Sequence, residues 1–179
     1  MVPASAHRGP RGDTSAQSLW VWRTLGYATG ARMPLTIRPA TEADQPRILR
    51  LIREVRLPRM NLRWPNFVVA EEDGELVGMG QVKSHGDGSR ELASIAVVPA
   101  RQALGIGSAI IQALLAREPG VVLHLSCRRE LEGYYERFGF KRLEPALYPP
   151  YFRRTTLLVS RITPFFGIHL IVMRREAGR

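Results

Sequence analysis

Gln102-Ala103-Leu104-Gly105-Ile106-Gly107 is a glycine-bearing loop that joins two apolar runs of different period. It stands between the apolar run Leu92 to Val98 and the amphipathic run Ser108 to Arg117. Leu92-Ala93-Ser94-Ile95-Ala96-Val97-Val98 has the length and β-branched content of a buried strand, and Pro99, which lacks a ladder donor, ends it. Beyond the loop, Ile106, Ile110, Ala113 and Leu114 recur at helical spacing until Pro119-Gly120 stops the pattern. Strand, glycine loop and helix in that order aim several backbone N–H groups and the positive end of a helix dipole at one point, which suits an anionic phosphate. A tight strand-to-helix turn would use the same residues, with Gly105 and Gly107 supplying unusual φ and close approach. Two phosphate loops are excluded. No Gly-Lys-Ser/Thr follows, as a nucleoside triphosphate loop needs, and Ile110 stands where a dinucleotide fingerprint has its third glycine.

What remains resembles the Gln/Arg-x-x-Gly-x-Gly/Ala signature of the GCN5-related N-acetyltransferases (GNAT), with Gln102, Gly105 and Gly107 at the defining positions. Ile95-Ala96-Val97-Val98-Pro99 is similar to the family's fourth strand. Tyr134-Tyr135-Glu136-Arg137-Phe138-Gly139-Phe140 resembles its later Phe/Tyr-Tyr-Glu-Lys-x-Gly-Phe motif. The two motifs are independent, they fall in the family's order, and with the opening Leu35 to Ala40 the resemblance covers residues 34 to 175. It implies a single α/β domain with the acyl-CoA N-acyltransferase (GNAT) fold, a central mixed twisted sheet flanked by helices on both faces.

The chain has 179 residues, within the roughly 100 to 200 of one domain. Its hydrophobic fraction of 45% and charged fraction of 23% are those of an ordinary globular protein. The net charge of +10 is almost wholly arginine, since only Lys83 and Lys141 are lysines. Such an excess favours a phosphorylated cofactor, nucleic acid or an anionic surface, and a general arginine bias would produce it too. No helix-turn-helix, zinc-finger or RNA-binding aromatic motif accompanies it, so no nucleic-acid partner is expected. Cys127 is the only cysteine, which excludes an internal disulfide and a cysteine-based metal site and suits a reducing compartment. No apolar run approaches the roughly 18 residues of a membrane span. The expectation is a soluble, cytoplasmic protein with no membrane partner and no metal.

Residues 1 to 32 carry Gly, Ser, Pro and Arg with one acid, Asp13, and read as a flexible extension. An arginine-bearing, acid-poor segment also fits a transit peptide. The simpler reading takes Met33 as the natural start, with 33 to 179 as the GNAT-like domain. Leu35 to Arg38 alternates like a first strand. Thr41 with Asp44 makes an N-cap pair for a helix with the stripe Ile48, Leu51, Ile52 and Val55, closed by Pro58. Phe67 to Ala70 and Leu76 to Val82 are strands joined around Asp73-Gly74, a strong hairpin signal, and Gly86-Asp87-Gly88 makes the next reversal. Val121 to Leu125 reads as a buried strand, Arg129 to Phe138 as a helix ended by Gly139, and Phe140 to Leu143 as a return strand. Tyr148, Tyr151, Phe152, Phe165 and Phe166 then sit among Pro149, Pro150 and Pro164 in a long connection before a last strand, His169 to Arg174. A connection this long is usually functional or ordered by a partner, and lid, acceptor wall and homodimer contact all fit it.

The resemblance implies transfer of an acetyl or short acyl group from acetyl-CoA, as cosubstrate, directly to a primary amine. In that reading the backbone N–H groups of Ala103, Leu104, Gly105, Ile106, Gly107 and Ser108, behind Gln102, hold the pyrophosphate, and the pantetheine arm lies along Ile95, Ala96 and Val97 as an added strand. Where the family often has Asn early in the later helix, this chain has Arg128 or Arg129, and either suits a phosphate. Tyr135 matches the tyrosine that protonates the coenzyme A thiolate; Tyr134, about 100° away on the helix, reads as packing. Glu91, six residues before Val97, stands where some members carry a glutamate acting as base through water. His124 is a second base by its ordinary pKa, though a lone histidine in a Val/Leu run is more often core. Cys127 has no indicated His and acid partners and reads as a structural thiol. Free amino acids, polyamines, aminoglycosides, peptide N-termini and protein lysines all fit as acceptors. A non-catalytic acyl-CoA sensor or interaction protein, docking through residues 145 to 167, is the alternative.

Overall fold

Alternating and continuous apolar runs become the strands of one sheet. In the computed structural model, which describes residues 34–160 and 169–178, the elements are β1 (Thr36–Pro39), α1 (Gln45–Glu54), β2 (Phe67–Glu72), β3 (Glu75–Ser84), β4 (Arg90–Val97), α2 (Ile106–Arg117), β5 (Leu123–Arg128), α3 (Glu132–Glu136), β6 (Lys141–Arg142), α4 (Pro150–Ser160) and β7 (Leu170–Arg175). The expectations placed on residues 1 to 32 and on Pro164, Phe165 and Phe166 lie outside the described residues. The sheet order is β1-β2-β3-β4-β5-β7-β6. Every neighbouring pair is antiparallel except β4 and β5, so the sheet is mixed, as the resemblance implies.

Successive side chains on a strand point to opposite faces, and the two faces bury separate cores. Phe67, Val69, Met79 and Ala96 pack against Ile48, Leu51 and Ile52 of α1. Val68, Ala70, Val77, Leu92, Leu123 and Leu125 pack under Ile106, Ile110, Ile111 and Leu114 of α2. At Gly80 a Cβ would lie 2.5 Å from Ile95 Cδ1 and 2.9 Å from both Ile110 and Leu114, so only hydrogen lets α2 settle this close to β3. Asp73 (φ 52°) and Gly74 (φ 77°) make the tight turn between β2 and β3, both with the positive φ of a hairpin turn.

Thr41 and Asp44 act together at the entrance to α1. The Thr41 N–H and Oγ donate to Asp44 Oδ2 at 2.8 and 2.9 Å, and Arg38 donates to the same oxygen at 2.7 Å. Arg38 also bonds Glu71, so the buried Asp44 carboxylate ties β1, β2 and α1 together. The Arg38 hydrogen bond holds the Asp44 carboxyl well below its ordinary pKa.

The structure departs from the pattern in four places. β5 runs to Arg128 rather than ending at Leu125, and the later helix shrinks to a 3-10 turn, Arg129–Leu131, followed by the five residues of α3. The return strand is only Lys141–Arg142. The largest departure is α4, an eleven-residue helix inside what reads as an irregular connection. Pro149-Pro150 is loop punctuation in the sequence, yet a proline at the first helical turn costs nothing because its missing N–H would have had no partner. Asp87 Oδ2 accepts the Tyr151 N–H at 2.7 Å, and the fully buried Phe152 anchors the helix to the sheet.

Because Asp44 has a depressed folded-state pKa, its contribution is present above the unfolded carboxylate value and is lost as pH falls toward the folded one. Asp44→Asn is expected to cost about 1–3 kcal/mol at pH 7, read by urea unfolding, with a smaller difference from wild type as pH falls below about 4.

Candidate active site

The site begins where a ladder stops. β4 and β5 pair only at Arg90↔Leu123 and Glu91↔His124. Beyond that rung β4 stays with β3 as far as Gly78↔Val97, while β5 follows β7 as far as Arg128↔Leu170. A wedge opens between them. Ser94, a non-glycine residue at φ 55°, marks the bulge that bends β4, beside the register shift opposite Met79 and Gln81. Gln81 Nε2 donates to Ser94 Oγ at 2.9 Å and fixes the bend.

The glycine loop closes the wide end. Gln102 Nε2 donates back to Val97 O at 3.0 Å, tying the loop to the end of β4. Gly105 caps α2 at φ 80°, a left-handed conformation that a side chain would strain. Ala109 N–H is the first to bond back, to Gly105 O at 3.0 Å, which leaves the N–H groups of Ile106, Gly107 and Ser108 without an intrahelical acceptor.

A cavity of about 600 Å³ lies here, lined by Ile95, Ala96, Val97, Gln102, Ala103, Gly105, Ile106, Gly107 and Ser108, and by Arg101, Leu131, Tyr134, Tyr135 and Arg137. Leu104 is the one loop residue of the expected cofactor set that does not line it; its side chain is 67% exposed. Tyr135 stands edge-on to Phe140, and burial pushes its phenol well above the ordinary tyrosine pKa, so it stays protonated. Tyr134, read from the sequence as packing, also borders the cavity: its hydroxyl is 3.4 Å from Ser108 Oγ, and a methyl at Gly107 would come within 3.2 Å of it. Arg137, whose guanidinium lies 4.7 Å over the Tyr134 ring, adds positive charge, whereas Arg101 is paired with Glu72.

A second cavity, of about 810 Å³, shares Ile95, Ala96, Val97, Gln102 and Leu131 with the first and is otherwise lined by Val55, Leu57, Arg128 and Glu130. Val55 and Leu57 belong to the α1 core, whereas Tyr134 and Tyr135 pack on the α2 core. The bent segment of β4 is therefore reached from both faces of the sheet.

Glu91 sits at the apex, on the last rung before the strands part. It is buried, 2.9 Å from His85 Nε2 and 3.2 Å from Lys83 Nζ, and it lines neither cavity. His85 stacks on Tyr151 of α4 with ring centroids 3.4 Å apart. No sequence motif marks either partner. His124 is buried against Phe152 with its Nδ1 unpartnered, and desolvation lowers its pKa, which favours the neutral ring. Cys127 is buried with Sγ 3.8 Å from Met173 Sδ, and burial pushes its thiol up to about 11, the state of an unreactive thiol. Among the described residues no three His, Cys, Asp or Glu side chains gather as metal ligands, and no helix is long and apolar enough to cross a membrane.

Residues 63–142 match the family model described as "Acetyltransferase (GNAT) domain". No curated protein sequence matches the chain. Among solved structures the fold is similar to N-acetylglutamate synthase from Neisseria gonorrhoeae, complexed with coenzyme A and N-acetyl-glutamate, at TM-score 0.64 and 24% identity over 82% of this chain and 36% of that one. The chain thus spans about a third of that protein's length. Rv2747 from Mycobacterium tuberculosis, solved in complex with CoA, is similar at TM-score 0.61 and 23% identity over 79% of this chain and 98% of that one. The ribosomal-protein-S18-alanine N-acetyltransferase from Escherichia coli gives TM-score 0.53 and 18% identity over 82% and 96%. At these identities the likeness speaks for the fold.

Proposed function

We propose, from the match of residues 63–142 to the acetyltransferase (GNAT) domain model, that residues 33 to 179 transfer an acetyl or related short acyl group from coenzyme A to a primary amine. The observation that carries this reading is the wedge itself: a bent strand edge without a ladder partner among the described residues, a capped helix N-terminus at one end and a protonated tyrosine beside it, open to both faces of the sheet.

In this proposal the first cavity takes the acyl-CoA. The N–H groups of Ile106, Gly107 and Ser108 meet the pyrophosphate, with Arg137 as further positive charge. The pantetheine amides take up the free edge of Ile95–Val97 as an added strand would. The amine arrives from the other face. Its lone pair attacks the thioester carbonyl, the C–N bond forms and the C–S bond breaks, the amine gives up a proton and the departing thiolate gains one. Tyr135 is the proposed donor to the thiolate, held neutral by burial. Glu91, at the apex and reached through water, is the proposed acceptor of the amine proton, with Lys83 and His85 holding its carboxylate in place.

That clasp also favours a second reading. A carboxylate already bonded to two cationic or basic neighbours and absent from both cavities suits a domain that binds acyl-CoA without turning it over.

Two variants separate these. Gly105→Glu puts a carboxylate where the pyrophosphate would lie and strains a left-handed position, so calorimetric titration with acetyl-CoA is expected to lose at least tenfold in affinity; unchanged affinity would contradict the cofactor site. Tyr135→Phe is expected to lower kcat about 10²-fold, by thiol release on an amine panel, with the KM for acetyl-CoA held. Wild type should show no alkaline fall in kcat below pH 10 that Tyr135→Phe abolishes, because the phenol titrates above that range. Binding without turnover of any amine would leave the non-catalytic reading.

A further inference from the structure

Resting on the transferase reading above, we infer that the second cavity selects an acceptor that carries a carboxylate beside its amine, an α-amino acid or a molecule of that kind, with Arg128 as the group that holds the carboxylate.

The wall of this cavity is apolar at Val55, Leu57 and Leu131 and carries two charges, Arg128 and Glu130. Among the described residues neither charge has an ionic or side-chain hydrogen-bond partner. This is unlike Arg38, Arg47, Arg90, Arg101 and Arg174, which are all paired with carboxylates. Arg128 is nonetheless well placed. It is the last residue of β5, in register with Leu170, and the next residue's N–H donates to His169 O at 2.9 Å, so the backbone beneath the guanidinium is fixed. A guanidinium fork unpaired among the described residues, on a fixed stub over an apolar wall, fits a carboxylate in two parallel hydrogen bonds.

Charge then narrows the class. One cation and one anion give the cavity no net charge, which matches a zwitterion. A polyamine or aminoglycoside would bring several positive charges to a single carboxylate and the Arg128 guanidinium. With the carboxylate on Arg128, the amine of an α-amino acid is only two bonds from the carboxyl carbon and is directed toward Ile95–Val97, the segment both cavities share. The free acid and a peptide N-terminus differ here, because the first residue of a peptide has spent its carboxylate in an amide.

The test uses matched pairs. L-leucine, L-methionine and L-glutamate are compared with their α-amides, alongside spermidine, as acceptors for wild type and Arg128→Gln at saturating acetyl-CoA. Wild type is expected to prefer each acid over its amide by about tenfold or more in kcat/KM, chiefly through KM, and Arg128→Gln to bring the ratio close to one. A urea-unfolding midpoint close to that of wild type shows that the variant is folded. Amides or spermidine used as well as the acids, or an acid preference that survives in Arg128→Gln, would overturn the inference. If no amine is turned over, the transferase reading fails instead, and the site is read by titrating the CoA-saturated protein with leucine and leucinamide. Arg128-dependent binding of the acid alone sustains the site, and equal or absent binding overturns it.

Discussion

The parting of β4 from β5 after the Glu91↔His124 rung is the constraint on which the rest depends. Backbone N–H and C=O groups on a strand edge need partners, and a central strand that loses its neighbour leaves a row of them exposed. The fold sets up this loss with specific devices. Ser94 takes a left-handed φ at the bulge, Gln81 pins it, and Gly80 lets Ile95 and α2 close over the bend. The proposed acyl-CoA site needs no dedicated pocket domain, because a ligand with amides of its own completes the interrupted sheet.

The charges divide into structural and available sets. Asp44, Glu71, Arg38 and Arg47 lock the first strand to the first helix, and Lys83, His85 and Glu91 lock the apex of the wedge under α4. Both sets consume much of their charge internally. Arg137 over Tyr134 and Arg128, unpaired among the described residues, stand at the two mouths instead, where the wedge meets solvent. The excess of arginine that the sequence shows as bulk charge is thus unevenly committed in three dimensions.

The legible parts were those set by near neighbours in sequence. The strand before Pro99, the loop at Gly105, the Asp73-Gly74 hairpin and the Thr41–Asp44 pair each rest on residues within a few positions of one another, so pattern and turn chemistry suffice. The parts that were not legible join distant segments. Lys83 meets Glu91 through the β3–β4 register, and His85 reaches the same carboxylate only because the chain turns back beyond Ser84. Arg128 faces Val55 and Leu57 across more than 70 positions. In sequence Tyr134 reads as packing because neighbours on a helix diverge by about 100°, yet the cavity is wide enough to be bordered by both tyrosines. α4 was hidden by Pro149-Pro150, which opens a helix as readily as it ends one.

Amide hydrogen exchange of the full chain, with and without acetyl-CoA, tests the wedge most directly. Slowed exchange at residues 95–97 and 103–108 is expected on adding acetyl-CoA, with β1 and β7 unchanged. Slowing confined to other segments, or none at the glycine loop while acetyl-CoA is bound, would contradict it.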